Sequence, residues 1–233
     1  MEIKKISGKG NELKVLVEDV EPAFLNAIRR TVMNAVPSLA IEDVMIYENH
    51  SVIFDEFLAL RLGLIPLKAE ISKSKEGDKV KFTLDKEGPC RVYSADLKIK
   101  NSGVDIADKK IPLVELKKNQ KLKLEGEAIV GTGKEHIKWQ PALVSYHELP
   151  NVKGNKVPED LIDNTKGRIA IKEPYKSEYE DAYASYDKKT NRSGKYVLLV
   201  ESNGAMEPQK ALEKAADIIS EKLSELKKEV KKL

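Results

Sequence analysis

The side chains able to do chemistry in this 233-residue chain are few, and their spacing suits none of the common reactions. Three histidines, His50, His136 and His147, show no i, i+4 pairing of the kind that sets two metal ligands on one helix face. The lone thiol, Cys90, permits no internal disulfide, no cysteine-rich zinc site and no cysteine-ligated iron–sulfur cluster. Gly131-Thr-Gly-Lys-Glu-His136 resembles a phosphate loop in outline. A P-loop, however, needs Gly five residues before its second Gly and Ser or Thr after its Lys, and Ala128 and Glu135 occupy those positions. His136 also replaces the third Gly of a dinucleotide fingerprint, so a turn after a strand is the simpler reading. Asn164–Glu173 mimics a calcium loop, with Gly167 sixth and Glu173 twelfth, but Ile162 and Lys166 stand where oxygen ligands belong. Glu178, Glu180 and Asp181 cluster in a polar stretch with nothing apolar to raise a carboxyl pKa. Tyr175, Tyr179, Tyr183 and Tyr186 follow helical spacing, as a contact stripe or as one side of an ordinary amphipathic helix. No catalytic, cofactor-binding or metal residue emerges, and the chain is expected to do no chemistry by itself.

Composition points the same way. Lys and Arg total 41 against 38 Asp and Glu, a net charge of +3, too small an excess for a chain whose task is coating nucleic acid. Any contact with DNA is expected to be peripheral or indirect. With 41% hydrophobic and 34% charged residues the chain reads as globular with a heavily charged surface. No charged-then-apolar leader is evident at Met1, and no apolar run approaches the ~18 residues of a membrane span, which predicts a cytoplasmic protein.

The elements carry more information than the reactive groups. Glu12–Asp19 alternates Leu13, Val15 and Val17 with polar residues and predicts a half-buried strand. Pro22 opens a helix with Phe24, Leu25, Ile28, Val32, Ala35 and Val36 on one broad face, and Pro37 stops it. Ala40–Tyr47 predicts a second strand. Period-two alternation over Lys79–Leu84, Cys90–Ile99 and Lys121–Val130 marks a mostly β region, with turns at Ser74–Asp78 and Asn101–Lys110. Between them, Asp55–Leu67 predicts a short apolar helix with Asp55 as N-cap, Gly63 as its stop and Arg61 as its single basic residue. That helix is either core or an exposed docking surface. The chain turns polar over 151–193, then gives a strand at Tyr196–Glu201, a turn at Asn203-Gly204 and a long helix over Glu207–Leu233. On the last, Leu212, Ala216, Ile219, Leu223, Leu226, Val230 and Leu233 step by 4, 3, 4, 3, 4 and 3, an unbroken heptad seam. Its cover is either the chain's own sheet or another chain.

Several stretches together resemble the alpha-type subunits of multisubunit RNA polymerases. Phe24-Leu-Asn-Ala-Ile-Arg-Arg-Thr-Val-Met-Asn-Ala-Val-Pro37 is similar to their first helix. Leu39-Ala-Ile-Glu-Asp-Val44, the Asp55–Leu67 element, Gly133-Lys-Glu-His-Ile-Lys-Trp-Gln-Pro-Ala142 and the final strand–turn–helix with Glu207-Pro208 follow in the family's order. The archaeal branch is the most similar, and the resemblance covers most of the chain. It implies an α+β fold: a discontinuous dimerisation domain over 1–47 and 194–233, made of a sheet plus two long helices, with an inserted β-rich domain over 48–152. It further implies a non-catalytic assembly platform that pairs with a smaller alpha-like partner, subunit L. That pair then recruits the small subunits N and P and the second-largest catalytic subunit. On this resemblance Phe24, Leu25, Ile28, Val32, Leu212, Ile219, Leu223 and Leu226 would form the dimerisation contact. Arg29, Arg30, Asp55, Glu56, Phe57, Arg61, Leu62 and Leu64 would face other subunits. Some archaeal members carry an extra iron–sulfur domain where this chain has 153–193. No cysteine lies there, so that segment is expected to be a reduced substitute without a cluster. Two alternatives stay open on sequence: a stand-alone homodimeric scaffold using the same seam, and an independent enzyme, which would need a site not found here.

Overall fold

The computed structural model describes residues 1–69, 79–101, 103–148, 162–163, 170–171 and 194–233. The turn expected at Ser74–Asp78, the tyrosine stripe and the carboxylates near 180 lie outside them, as does 153–193 apart from its two short strands. The elements are β1 (Glu2–Lys9), β2 (Glu12–Glu18), α1 (Pro22–Asn34), β3 (Pro37–Asn49), α2 (Asp55–Gly63), β4 (Leu67–Ala69), β5 (Val80–Glu87), β6 (Cys90–Tyr93), β7 (Lys98–Ile99), β8 (Val104–Ile106), β9 (Pro112–Leu116), β10 (Lys121–Thr132), β11 (Ala142–Glu148), β12 (Ile162–Asp163), β13 (Ala170–Ile171), β14 (Lys195–Ser202) and α3 (Pro208–Val230). This is a sheet-rich α+β chain. It divides into two compact units, 1–27 with 144–200, and 28–143 with 201–233.

In the first unit a four-stranded sheet runs in the order β1-β2-β14-β11, so strands from opposite ends of the chain are neighbours. The β1–β2 hairpin turns through Gly10, whose φ of 59° lies where an L side chain is strained. β2 and β14 read as nearly continuous apolar runs because their residues are covered on both faces: Val15, Leu16, Val17, Tyr196, Val197, Leu198 and Val200 are all buried. Glu18 is almost enclosed and is neutralised by Lys4 at 3.6 Å and by Lys195, the compensation a buried carboxylate needs. Tyr146 packs edge-on to Tyr196, with ring centroids 6.2 Å apart.

The second unit holds the main core. Beside its four-stranded sheet, β3-β10-β5-β7, stand two separate two-stranded ribbons, β4–β8 and β6–β9. Leu122, Leu124 and Ala128 of β10 point inward with Phe82 and Leu84 of β5, Ile41 of β3 and Leu58 and Leu62 of α2. On the opposite, solvated face Glu127 receives Lys79 at 2.6 Å, and that hydrogen bond holds its carboxyl below the usual range.

Four local expectations differ from what forms, the first being the turn at Asn101–Lys110, which holds the short strand β8 paired with β4. Cys90–Ile99 is not one strand. The buried hydroxyl of Ser94 donates to the Asp108 carbonyl at 2.6 Å, and Asp96 accepts from Tyr93 N–H at 2.8 Å, which folds Ser94–Asp96 into a 3-10 turn between β6 and β7. Asp55 is not the N-cap of α2: Phe54 holds that place without a side-chain bond, and Asp55 and Glu56 occupy the first turn, where a carboxylate favours the helix dipole. Leu64 rather than Gly63 is the C-cap, in right-handed geometry.

Candidate functional site

α2 is apolar nearly all round, and a helix of that kind belongs inside something. The chain covers only half of it. Leu58 and Leu62, four apart, are fully buried in the core, whereas Phe57, Leu60 and Leu64, at steps of three and four, are 61%, 53% and 53% exposed. The preceding loop adds Val52 and Phe54, both largely exposed. These two are held out by a fixed network rather than by loose chain. Asn49 Nδ2 donates to the Ile53 carbonyl at 2.8 Å and to Asp55 Oδ1 at 2.7 Å, while Ser51 Oγ donates to Asn49 Oδ1 at 2.6 Å. An apolar face presented on a rigid mount suits protein–protein contact. Arg61, which the resemblance turns toward other subunits, is exposed and donates to the Pro112 carbonyl of its own chain. Leu62 is unavailable to any partner, being fully buried. Sequence reasoning did not single out Val52, Phe54 or Leu60. The signal for Leu60 was its i, i+3, i+7 stripe with Phe57 and Leu64, whereas Val52 and Phe54 lie in the loop before the helix and share no periodicity.

The second surface is the seam of α3. Pro208, Ala211 and Ala215 form a buried stripe of small residues, which seats the start of the helix on its own chain. Beyond Ile219 the support ends. Every residue over 220–233 is exposed, with Leu223 and Leu226 at 59%. Leu212 and Ile219 are part-buried. On α1, Leu25 and Val32 are fully buried within the chain, Ile28 is part-buried and Phe24 is largely exposed. Of the eight residues named for dimerisation, Phe24, Leu223 and Leu226 therefore keep the most area for another molecule. Arg29 is part-buried and reaches Met33 Sδ at 3.6 Å, while Arg30 is exposed.

The turn expected at 131–136 proves to be a joint. A Cβ on Gly133 would sit 1.9 Å from the Met33 carbonyl oxygen, so only glycine lets this turn close on the end of α1. Lys134 N–H donates to the Asn34 carbonyl at 3.0 Å, satisfying an orphan acceptor where α1 has no basic residue in its last turn. Trp139 lies against Gly131, donates to the Ile129 carbonyl at 3.1 Å and accepts on its own carbonyl from the Ser38 hydroxyl at 2.6 Å. Lys138 stands 4.5 Å over the Trp139 ring and bonds the Ile41 carbonyl at 3.0 Å and Glu42. His136 Nδ1 accepts from Lys138 N–H at 3.1 Å.

Among the described residues no three His, Cys, Asp or Glu side chains group as a metal site, and no helix is long and apolar enough to cross a membrane. The groove along Pro89, Arg91, Tyr93 and Lys117 is wide open to solvent and gathers no acid–base pair other than the surface bridge Arg91–Glu115.

A sheet-rich chain with two bare apolar helix faces has the features of a protein–protein interaction module. Residues 44–150 match the family described as the RNA polymerase Rpb3/RpoA insert domain. The chain is 35% identical to DNA-directed RNA polymerase subunit Rpo3 of Halobacterium salinarum, over 98% of this chain and 97% of that one. It is 31% identical to the subunit of the same name from Thermococcus kodakarensis, over 100% and 99%. With that of Methanocaldococcus jannaschii the identity is 52%, over 54% of this chain and 64% of the relative. The chain belongs to the alpha-like family of archaeal DNA-directed RNA polymerase subunit Rpo3.

Proposed function

We propose that the chain is a non-catalytic assembly subunit of an archaeal DNA-directed RNA polymerase in the cytoplasm. The seam of α3 pairs with the smaller alpha-like subunit L, and the exposed Phe24 of α1 is assigned to the same partner. The α2 face, with Val52, Phe54, Phe57, Leu60 and Leu64, receives the small subunits N and P or the second-largest subunit. The observation that carries this reading is that, among the described residues, two separate apolar faces, each on a helix, are exposed. Pairing of β14 with β2 supports a sheet shared by the two ends of the chain; on this reading 1–47 and 194–233 make the dimerisation domain, with 48–152 inserted and 153–193 a reduced segment. The platform works without a cofactor: a single cysteine cannot ligate a cluster. DNA is met through the complex.

Affinity purification of the tagged chain from its host, with mass spectrometry of the stoichiometric companions, tests this. Two very large chains plus several small ones support it. Recovery of the chain with itself alone overturns it in favour of a homodimeric scaffold.

A further inference from the structure

The loop between β10 and β11 touches more elements than a connection needs to. Gly133 and Lys134 close on the last carbonyls of α1, and Ser38 and Ile41 of β3 bond its far side. Its remaining edge meets the turn that launches α3. Asn203 Nδ2 donates to the Gln140 carbonyl at 3.0 Å, and Asn203 N–H donates to the Pro141 carbonyl at 3.2 Å. The same side chain accepts, on Oδ1, the Ala205 N–H at 2.9 Å. Asn203 thus uses the donor half of its amide on the loop and the acceptor half on its own turn. A few residues later α3 begins at Pro208, whose ring pre-sets the first helical φ. Because residues 220–233 have no cover of their own, a small change of angle at the start of α3 moves Leu223 and Leu226 through a large arc.

We propose that loop 131–141 is an alignment joint fixing α1 and α3 to one scaffold, and that Asn203 is the positioning residue that aims the α3 seam. The inference rests on the seam being an interface, and it adds what sets the direction of that interface. Asn203 acts through α3.

Asn203→Asp isolates the claim. It keeps an oxygen for the Ala205 N–H, and so the turn, but places an acceptor against the Gln140 carbonyl, where the bond becomes a repulsion. The readouts are the affinity of the full chain for the alpha-like partner, the melting temperature, and the distance distribution between nitroxides at Asp85→Cys and Ser224→Cys in a Cys90→Ala background. The expected result is about tenfold weaker pairing, a broadened distance distribution and a melting temperature lower by a few degrees at most, as loss of one hydrogen bond implies. Equal affinity with an equally narrow distribution overturns the proposal, as does a loss of affinity with the distance distribution unchanged. If the unsubstituted chain fails to bind the partner, the interface reading falls, and the distance distribution alone decides whether Asn203 aims the helix.

Discussion

Replacing Leu223 by Asp probes the seam where the chain gives it least support. Leu223 is 59% exposed, and every residue over 220–233 is exposed with it, so the free chain has little to lose. Asp is a poorer helix former than Leu by roughly 0.5 kcal/mol, and an i, i+4 attraction to Lys227 returns about 0.3 kcal/mol. The melting temperature of the isolated chain should therefore move by no more than about 1 °C. In a complex the balance differs. Full burial of a Leu contributes about 1.5–3 kcal/mol, of which the exposed fraction leaves about 1–2 kcal/mol to be gained on pairing. An unpaired carboxylate in the same place costs a further ~2–3 kcal/mol in lost hydration. Together these approach ~4 kcal/mol, about a thousandfold in Kd. Titration calorimetry of the purified chain against the alpha-like partner measures the Kd, and circular dichroism confirms that the variant keeps its fold. A Kd within about threefold of the parent's would refute the placement of the interface on this seam.

Four further outcomes are expected. Gly133→Ala drives a methyl into the Met33 carbonyl and should lower the melting temperature by about 2–10 °C through overpacking of ~1–3 kcal/mol; an unchanged melt contradicts the close approach. Arg61→Ala should cost about 1 kcal/mol of stability in denaturant titration, through its bond to Pro112, and leave assembly yield intact at high salt; a loss of assembly without a loss of stability would restore it as an anchor. Phe57→Ser with Leu60→Ser should leave the melt unchanged, since both side chains are exposed, and should abolish incorporation of the chain into the large complex; normal incorporation removes α2 from the assembly surface. His147 has a buried Nε2 with no hydrogen-bond partner among the described residues, and burial pushes its pKa down to about 4. The unfolded chain takes up this proton near pH 6.5 and the folded chain not until about 4, so the stability present above pH 6.5 declines as pH falls between those values. With the ring part-exposed, about 1 kcal/mol is expected, and His147→Gln should flatten that slope in pH-dependent denaturation.

Elements that bury one clear face were legible from sequence. Leu13, Val15 and Val17 announced β2, Tyr196–Glu201 announced β14, and the heptad steps announced the long helix. β1 was not legible: Glu2–Lys9 carries no alternation because nearly all of it is exposed, and it is a strand through backbone pairing to β2. The break at Ser94–Asp96 was equally hidden, since it depends on a serine hydroxyl meeting a carbonyl fourteen residues away. Leu25 and Val32 shared a helix face with Phe24 on paper, but periodicity cannot separate a face turned to the chain's own core from one left for a partner. The joint at 131–141 was read as a mere turn because its partners, Met33 and Asn203, lie about a hundred and seventy residues apart in sequence.

The bare stretch of α3 also bears on the lifetime of the protein. Over 220–233 its helix is held by continuity with the seated turns and by local pairs such as Glu229–Lys232 at 2.6 Å, so its opening free energy is close to zero when the chain is alone. Lys227, Lys228, Lys231 and Lys232 then become accessible to any protease that cuts after basic residues. Limited proteolysis of the isolated chain is therefore expected to cut in this stretch before it cuts the sheets, and anything seated on the seam should slow that cut.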